Sequence, residues 1–204
     1  TVVNATNITV IHNTADNDAD GDGAGGGIYN VSPNFNLRAS IVADNLDTPG
    51  TSGPSATLPD IGGNALSSTG HNLIGSVGDF DFASNTTGDH YGDPNSTTTP
   101  DPAAIEESQP IEPLLGGLVS GPPLHRLLDG SPALEQILPA ECTVMSSDTN
   151  PLVNDGDPIS TDQEGDTRPQ GTACDKGADE AFGELPIFVD AFESANTLSW
   201  STLV

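Results

Sequence analysis

Residues 28–45 read IYNVSPNFNLRASIVADN. Three apolar runs stand in this stretch: Ile28-Tyr29-Asn30, Phe35-Asn36-Leu37 and Ser40-Ile41-Val42-Ala43. Each is too short for a helix, rich in β-branched or aromatic residues, and bounded by Asn, Ser or Pro, so each reads as a short strand. Upstream, residues 1–15 read TVVNATNITVIHNTA, with Val3, Ile8 and Val10 near alternating spacing. The acidic, glycine-rich segment Asp16–Gly27 that follows cannot sustain a regular element. Downstream, Asn45–Pro59 is a Pro/Gly/Ser/Thr loop. After it, Asp60-Ile61-Gly62 and Gly70-His71-Asn72-Leu73-Ile74-Gly75 repeat the strand-and-bend pattern.

Units recurring at roughly twenty to thirty residues, each too small to bury its own apolar face, predict stacked coils of an all-β solenoid. Asn suits the bends, because it tolerates left-handed backbone and can hydrogen-bond along a stack. Asn13, Asn30, Asn45 and Asn72 are the expected stack positions. An antiparallel sandwich would need longer alternating strands and hairpins, which the sequence does not display. Residues 1–77 are therefore expected to form coils, and 78–110, polar and rich in Asp, Thr and Pro, a long excursion. Residues 111–182 begin with a leucine-rich stretch (Leu114, Leu115, Leu118, Leu124, Leu127, Leu128) broken by Pro122, Pro123 and Pro132, leaving at most short helical turns. They are expected to cap the open end of the sheet, and residues 183–204, with Phe188, Phe192 and Trp200, to form a separate tail.

Charge narrows the partners. Four Lys plus Arg stand against thirty Asp plus Glu, a formal net charge of -26. Such a surface repels phosphate backbones and anionic lipid, which argues against nucleic acid and membrane surfaces, and it attracts Ca²⁺. No apolar run is long enough to span a bilayer as a helix. The only two cysteines, Cys142 and Cys174, are expected to form one disulfide in an oxidising compartment. With no initiator Met before Thr1, the chain is expected to be a processed product or a fragment.

Taken in order, Gly25–Asn30, Ser40–Asn45, Gly70–Gly75 and Gly130-Ser131-Pro132-Ala133-Leu134 resemble the choice-of-anchor Q domain proteins. So does the run Asp162-Gln163-Glu164-Gly165, Arg168-Pro169, Cys174-Asp175, Gly177-Ala178 and Glu180. The resemblance implies a right-handed parallel β-helix of the pectate-lyase-like shape, similar also to polymorphic outer-membrane protein repeats. It further implies a secreted or surface protein of a Gram-negative bacterium and a structural pairing of Arg168 with Asp175. Glu164 stands where that family often has Arg, which would remove an expected salt bridge. The tail resembles a sorting segment of secreted proteins, with Ala191 and Ala195 at positions usually held by Gly.

Among candidate sites, Asp16, Asp18, Asp20 and Asp22 place carboxylates at alternate positions with Gly21 between, a pattern that can converge oxygens on Ca²⁺. Gly27 occupies the twelfth position, where an EF-hand carries a bidentate Glu, so only weak calcium binding is expected. His12, His71, His90 and His125 are scattered singly without zinc spacing, and stacking or core-edge roles are expected of them. Polysaccharide lysis needs a cation and a basic side chain, and the available bases are Arg38, Arg126, Arg168 and Lys176. No catalytic set emerges. The reading is a non-catalytic, extracytoplasmic protein for display, adhesion or contact with glycans or host-surface molecules. The alternative is a polysaccharide lyase or glycoside hydrolase with part of its active coil N-terminal to Thr1.

Overall fold

A computed structural model describes residues 2–15, 25–47, 60–77, 87–93, 105–107, 109–119, 123–145 and 156–181. Within them the regular structure is strand throughout. The first layer holds β1 (Val3–Thr6), β2 (Thr9–Ile11) and β3 (Thr14–Ala15). Next come β4 (Ile28–Asn30), β5 (Phe35–Arg38), β6 (Ile41–Ala43) and β7 (Leu46–Asp47). They are followed by β8 (Ile61–Gly63), β9 (Ser67–Ser68), β10 (Leu73–Ile74), β11 (His90–Gly92) and β12 (Ile105–Glu107). The last two are β13 (Leu115–Val119) and β14 (Leu124–Leu127).

Strands β12-β11-β10-β6-β2 form a five-stranded sheet and β1-β5-β9 a three-stranded one, while β3-β7, β4-β8 and β13-β14 are two-stranded. All pairings are parallel except β13-β14. Val3 faces Phe35, Thr9 faces Ile41 and Thr14 faces Leu46. That constant offset of 32 residues also separates Asn13 from Asn45. It does not persist: Leu73 faces His90 and His90 faces Ile105.

The all-β class therefore stands, and the predicted right-handed β-helix is corrected. The described strands divide among five small sheets, one of them antiparallel, and do not build a solenoid. A solenoid needs every layer to supply a strand to each face, whereas these sheets hold five, three, two, two and two strands. The leucine-rich segment is corrected too. It pairs as the antiparallel strands β13 and β14, with a register shift between Leu115 and Leu118, where at most short helical turns were expected.

Burial explains why β6 organises the centre. Its three residues are all buried, because alternate side chains leave on opposite faces and both faces are covered. Val42 joins Leu37, Ile61, Leu66, Ile74, Val77 and Tyr91 on one side. Ile41 and Ala43 join Leu73, Leu127 and Ala133 on the other, which seats β14 against the parallel sheet. A third cluster, Ala39, Ile137, Cys142 and Cys174, anchors the C-terminal segment.

The bends repeat as the strands do. Asn7, Ala39 and His71 share left-handed φ values of 52°, 51° and 61°, and His12 and Asp44 share 56° and 54°. Asn, Asp and His tolerate this region best, as their positions here reflect. Gly63, at φ +89°, has a stricter reason: a Cβ there would run into the Asn30 carbonyl.

Candidate functional site: ionised groups buried beneath the C-terminal segment

Residues 156–181 carry no strand longer than an isolated bridge, so their backbone donors need other acceptors. Carboxylates supply them. Asp162 accepts from the Glu164 and Asp166 amides through Oδ1 and from Glu180 N through Oδ2. Asp175 accepts from Glu135 N at 2.6 Å and Ala181 N at 2.8 Å. Glu180 accepts from Gln170 N and Asp175 N, Asp179 from Leu127 N, and Glu135 from Thr172 N and Ala173 N.

Arg168 lies inside this frame, 5% exposed. Its Nη2 donates to the Gly177 and Asp179 carbonyls, both at 2.8 Å, and Nη1 to Asp175 O at 3.3 Å. Its Nε makes an ion-pair contact with Glu180 Oε2 at 3.4 Å. The expected pairing with Asp175 is thus revised. Arg168 takes the carbonyl of Asp175, the Asp175 carboxylate serves backbone amides, and Glu180 is the acidic partner. Burial pulls the guanidinium down from its ordinary value, opposed first by Glu180. Burial likewise raises Asp179 and Glu180 and pushes Asp175 up to about 7.

Lys176, next to Asp175, is 1% exposed. Its backbone amide bonds to Ala133 O and the neighbouring Gly177 amide to Ala39 O, which lays the segment across the bend after β5. The side chain then reaches Gly88 O at 2.7 Å and Asn72 O at 3.2 Å. Burial drives its pKa down to about 8, with Asp89 pulling the other way. Nothing in the sequence marked Lys176 as internal, since a lone Lys in an acidic chain reads as solvated.

The polar ladder is partly as read. Asn13 Nδ2 donates to Asn45 Oδ1 at 3.0 Å, and Asn45 passes the line on to Asp60 Oδ1 at 2.9 Å. Asn72 stacks under Ser40, whose amide it accepts at 3.2 Å, and donates to Asp89. Asn30 also bonds along the stack, donating to the Asn64 and Ala65 carbonyls after β8, the strand paired with its own. Asp60, 2% exposed, is pushed up to about 6 by burial despite the amides of Asn45 and Ser76.

Cys142 and Cys174 are joined by a disulfide with Cα atoms 6.3 Å apart. Glu164 recovers a partner through Arg126 rather than losing one. Asp16, Asp18, Asp20 and Asp22 lie outside the described residues, as do the polar excursion in large part and the tail from residue 182. Among the described residues no helix is long and apolar enough to cross a membrane.

The chemistry open to this cluster is structural. Its carboxylates are engaged by backbone amides, and its two cations are sealed from solvent. Arg38 donates to Glu141 O, so each of the four Lys and Arg side chains has an internal bond. No protein-family model, curated protein or solved structure matches the chain.

Proposed function

We propose that the chain is a non-catalytic, extracytoplasmic bacterial protein for display, adhesion or contact with glycans, related to the choice-of-anchor Q domain proteins. The commitment of all four cationic side chains to internal bonds carries this reading. A lyase needs a base free to reach the sugar carbon, whereas Arg168 and Lys176 are buried and Arg38 and Arg126 are engaged by the Glu141 carbonyl and by Glu164. The disulfide supports an oxidising compartment, secreted or at the surface of a Gram-negative cell. The net charge of -26 favours partners that are neutral or cationic, such as neutral glycans, over nucleic acid.

The test is a screen of the purified protein against neutral glycans and polyuronates, with and without Ca²⁺, reading both retention on immobilised glycan and new unsaturated or reducing ends. Retention without new ends is the expected result. New ends appearing in proportion to protein would replace this reading with a carbohydrate-active enzyme.

A further inference from the structure

The sequence holds three Asp-Pro dipeptides, Asp93-Pro94, Asp101-Pro102 and Asp157-Pro158. Each joins a labile amide to its own nucleophile. The Pro nitrogen belongs to a tertiary amide, which is protonated and departs more readily than a secondary one. Attack by the Asp carboxyl on its own carbonyl carbon closes a small, unstrained ring. Pro94, Asp101 and Pro102 lie outside the described residues, whereas both residues of the third bond are placed.

At Asp157 the fold adds what the dipeptide lacks. Val144 N donates to the Asp157 carbonyl oxygen at 2.9 Å, and Gly156 N donates to Val144 O at 3.1 Å. On the far side Ile159 N donates to Cys142 O at 2.9 Å, and Pro158 bridges Thr143. The bond is clamped on both flanks, with a fixed N–H on the oxygen where negative charge gathers when its carbon is attacked. Water can reach it, since Gly156 and Pro158 are exposed and a Cβ at Gly156 would meet nothing within 4 Å.

We propose that the Asp157–Pro158 peptide bond is a self-cleavage site. A side-chain oxygen of Asp157 bonds to the Asp157 carbonyl carbon, the bond from that carbon to Pro158 N breaks, and the departing nitrogen takes up a proton from mildly acidic solvent. Water then opens the cyclic anhydride, leaving residue 157 with two free carboxyl groups, so the net change is the addition of one water. Cys142 and Cys174 flank the bond and are joined, so residues 1–157 and 158–204 stay together until the disulfide is reduced. After cleavage that bridge is the one covalent tie between the sheets and the buried Arg168 and Lys176.

The experiment holds the purified chain at about pH 4.5, below the range in which Asp60 and Asp175 give up their protons, beside a portion denatured in guanidinium chloride. Gels with and without reductant, followed by mass spectrometry, locate the cut. In the folded chain, cleavage after residue 157 should separate the two pieces only on reduction. It should run at least about tenfold faster than at residues 93 and 101, and at least about tenfold faster than at the same bond in denaturant, as an oriented N–H at a developing oxyanion provides. Asp157→Asn and Pro158→Ala should each suppress it, and Val144→Pro, which removes the N–H, should lower it to the rate of the other two bonds. An intact bond in the folded chain, equal rates folded and denatured, or cleavage undiminished by Asp157→Asn overturns the proposal. Should Val144→Pro fail to match the wild-type circular dichroism spectrum, the ratio of folded to denatured rates decides.

Discussion

Removing the disulfide is the sharpest test of how the C-terminal segment is held. The bridge spans 32 positions and draws Cys174 into the cluster of Ala39, Ile137 and Cys142. In the chain-entropy model, freeing a loop of about that size returns about 12 cal/mol/K to the unfolded chain, about 3.7 kcal/mol at 25 °C. Cys142→Ala with Cys174→Ala also removes two buried sulfur atoms, which adds about 1 kcal/mol per site through the small cavities left. For a chain of this length each kcal/mol moves the melting temperature by about 2–4 °C. The double variant should therefore melt about 10–20 °C below the wild type, and reduced wild type, which keeps its sulfurs, about 7–15 °C below. Both are read by circular dichroism on heating, with and without reductant. A double variant melting within about 2 °C of the wild type would refute the reasoning, because it would mean that the loop is held equally well by Arg168 and its carboxylates alone.

Acid should stabilise the fold. Asp60 at about 6 and Asp175 at about 7 both lie above the ordinary value of 3.8. The folded chain therefore binds protons more tightly than the unfolded one, and stability falls as pH rises from about 4 through those values. The unfolding free energy from urea titration should rise between pH 7.5 and pH 5, by up to about 4 kcal/mol from these two groups, and a fall would contradict the assignment. Arg168→Met should cost about 3–5 kcal/mol, because it strands the buried Glu180 carboxylate and three carbonyls; a loss under about 1 kcal/mol in chemical denaturation would show the frame is self-sufficient. Arg126→Ala, at a half-exposed pair with Glu164, should cost less than about 1 kcal/mol by the same measurement, and a larger loss would show that the pair behaves as a buried one. Gly63→Ala should destabilise by about 2 kcal/mol or more, through a left-handed φ and a clash with the Asn30 carbonyl; a neutral result would mean the bend relaxes freely.

What the amino-acid sequence determined by itself was local or combinatorial. Short β-branched runs between Asn, Gly and Pro declared strands at Ile28, Phe35 and Ile41, because a two-residue period and turn chemistry act over a few positions. Two cysteines allow only one bridge. Asn13 and Asn45 sit one offset apart and form the rung that their residue type suggested. Tertiary structure alone decided the rest. The grouping of strands into five separate sheets depends on which segments meet, and no local pattern encodes that. It also paired Leu115–Val119 antiparallel with Leu124–Leu127 and seated Leu127 against Ile41 and Leu73. Lys176 looked solvated until backbone bonds to Ala133 and across the bend at Ala39 carried it inward to the Gly88 carbonyl. His12 and His125 showed no spacing that chemistry could use. Packing of β14 on the parallel sheet, through Leu127 against Ile41 and Leu73, sets their rings 5.2 Å apart.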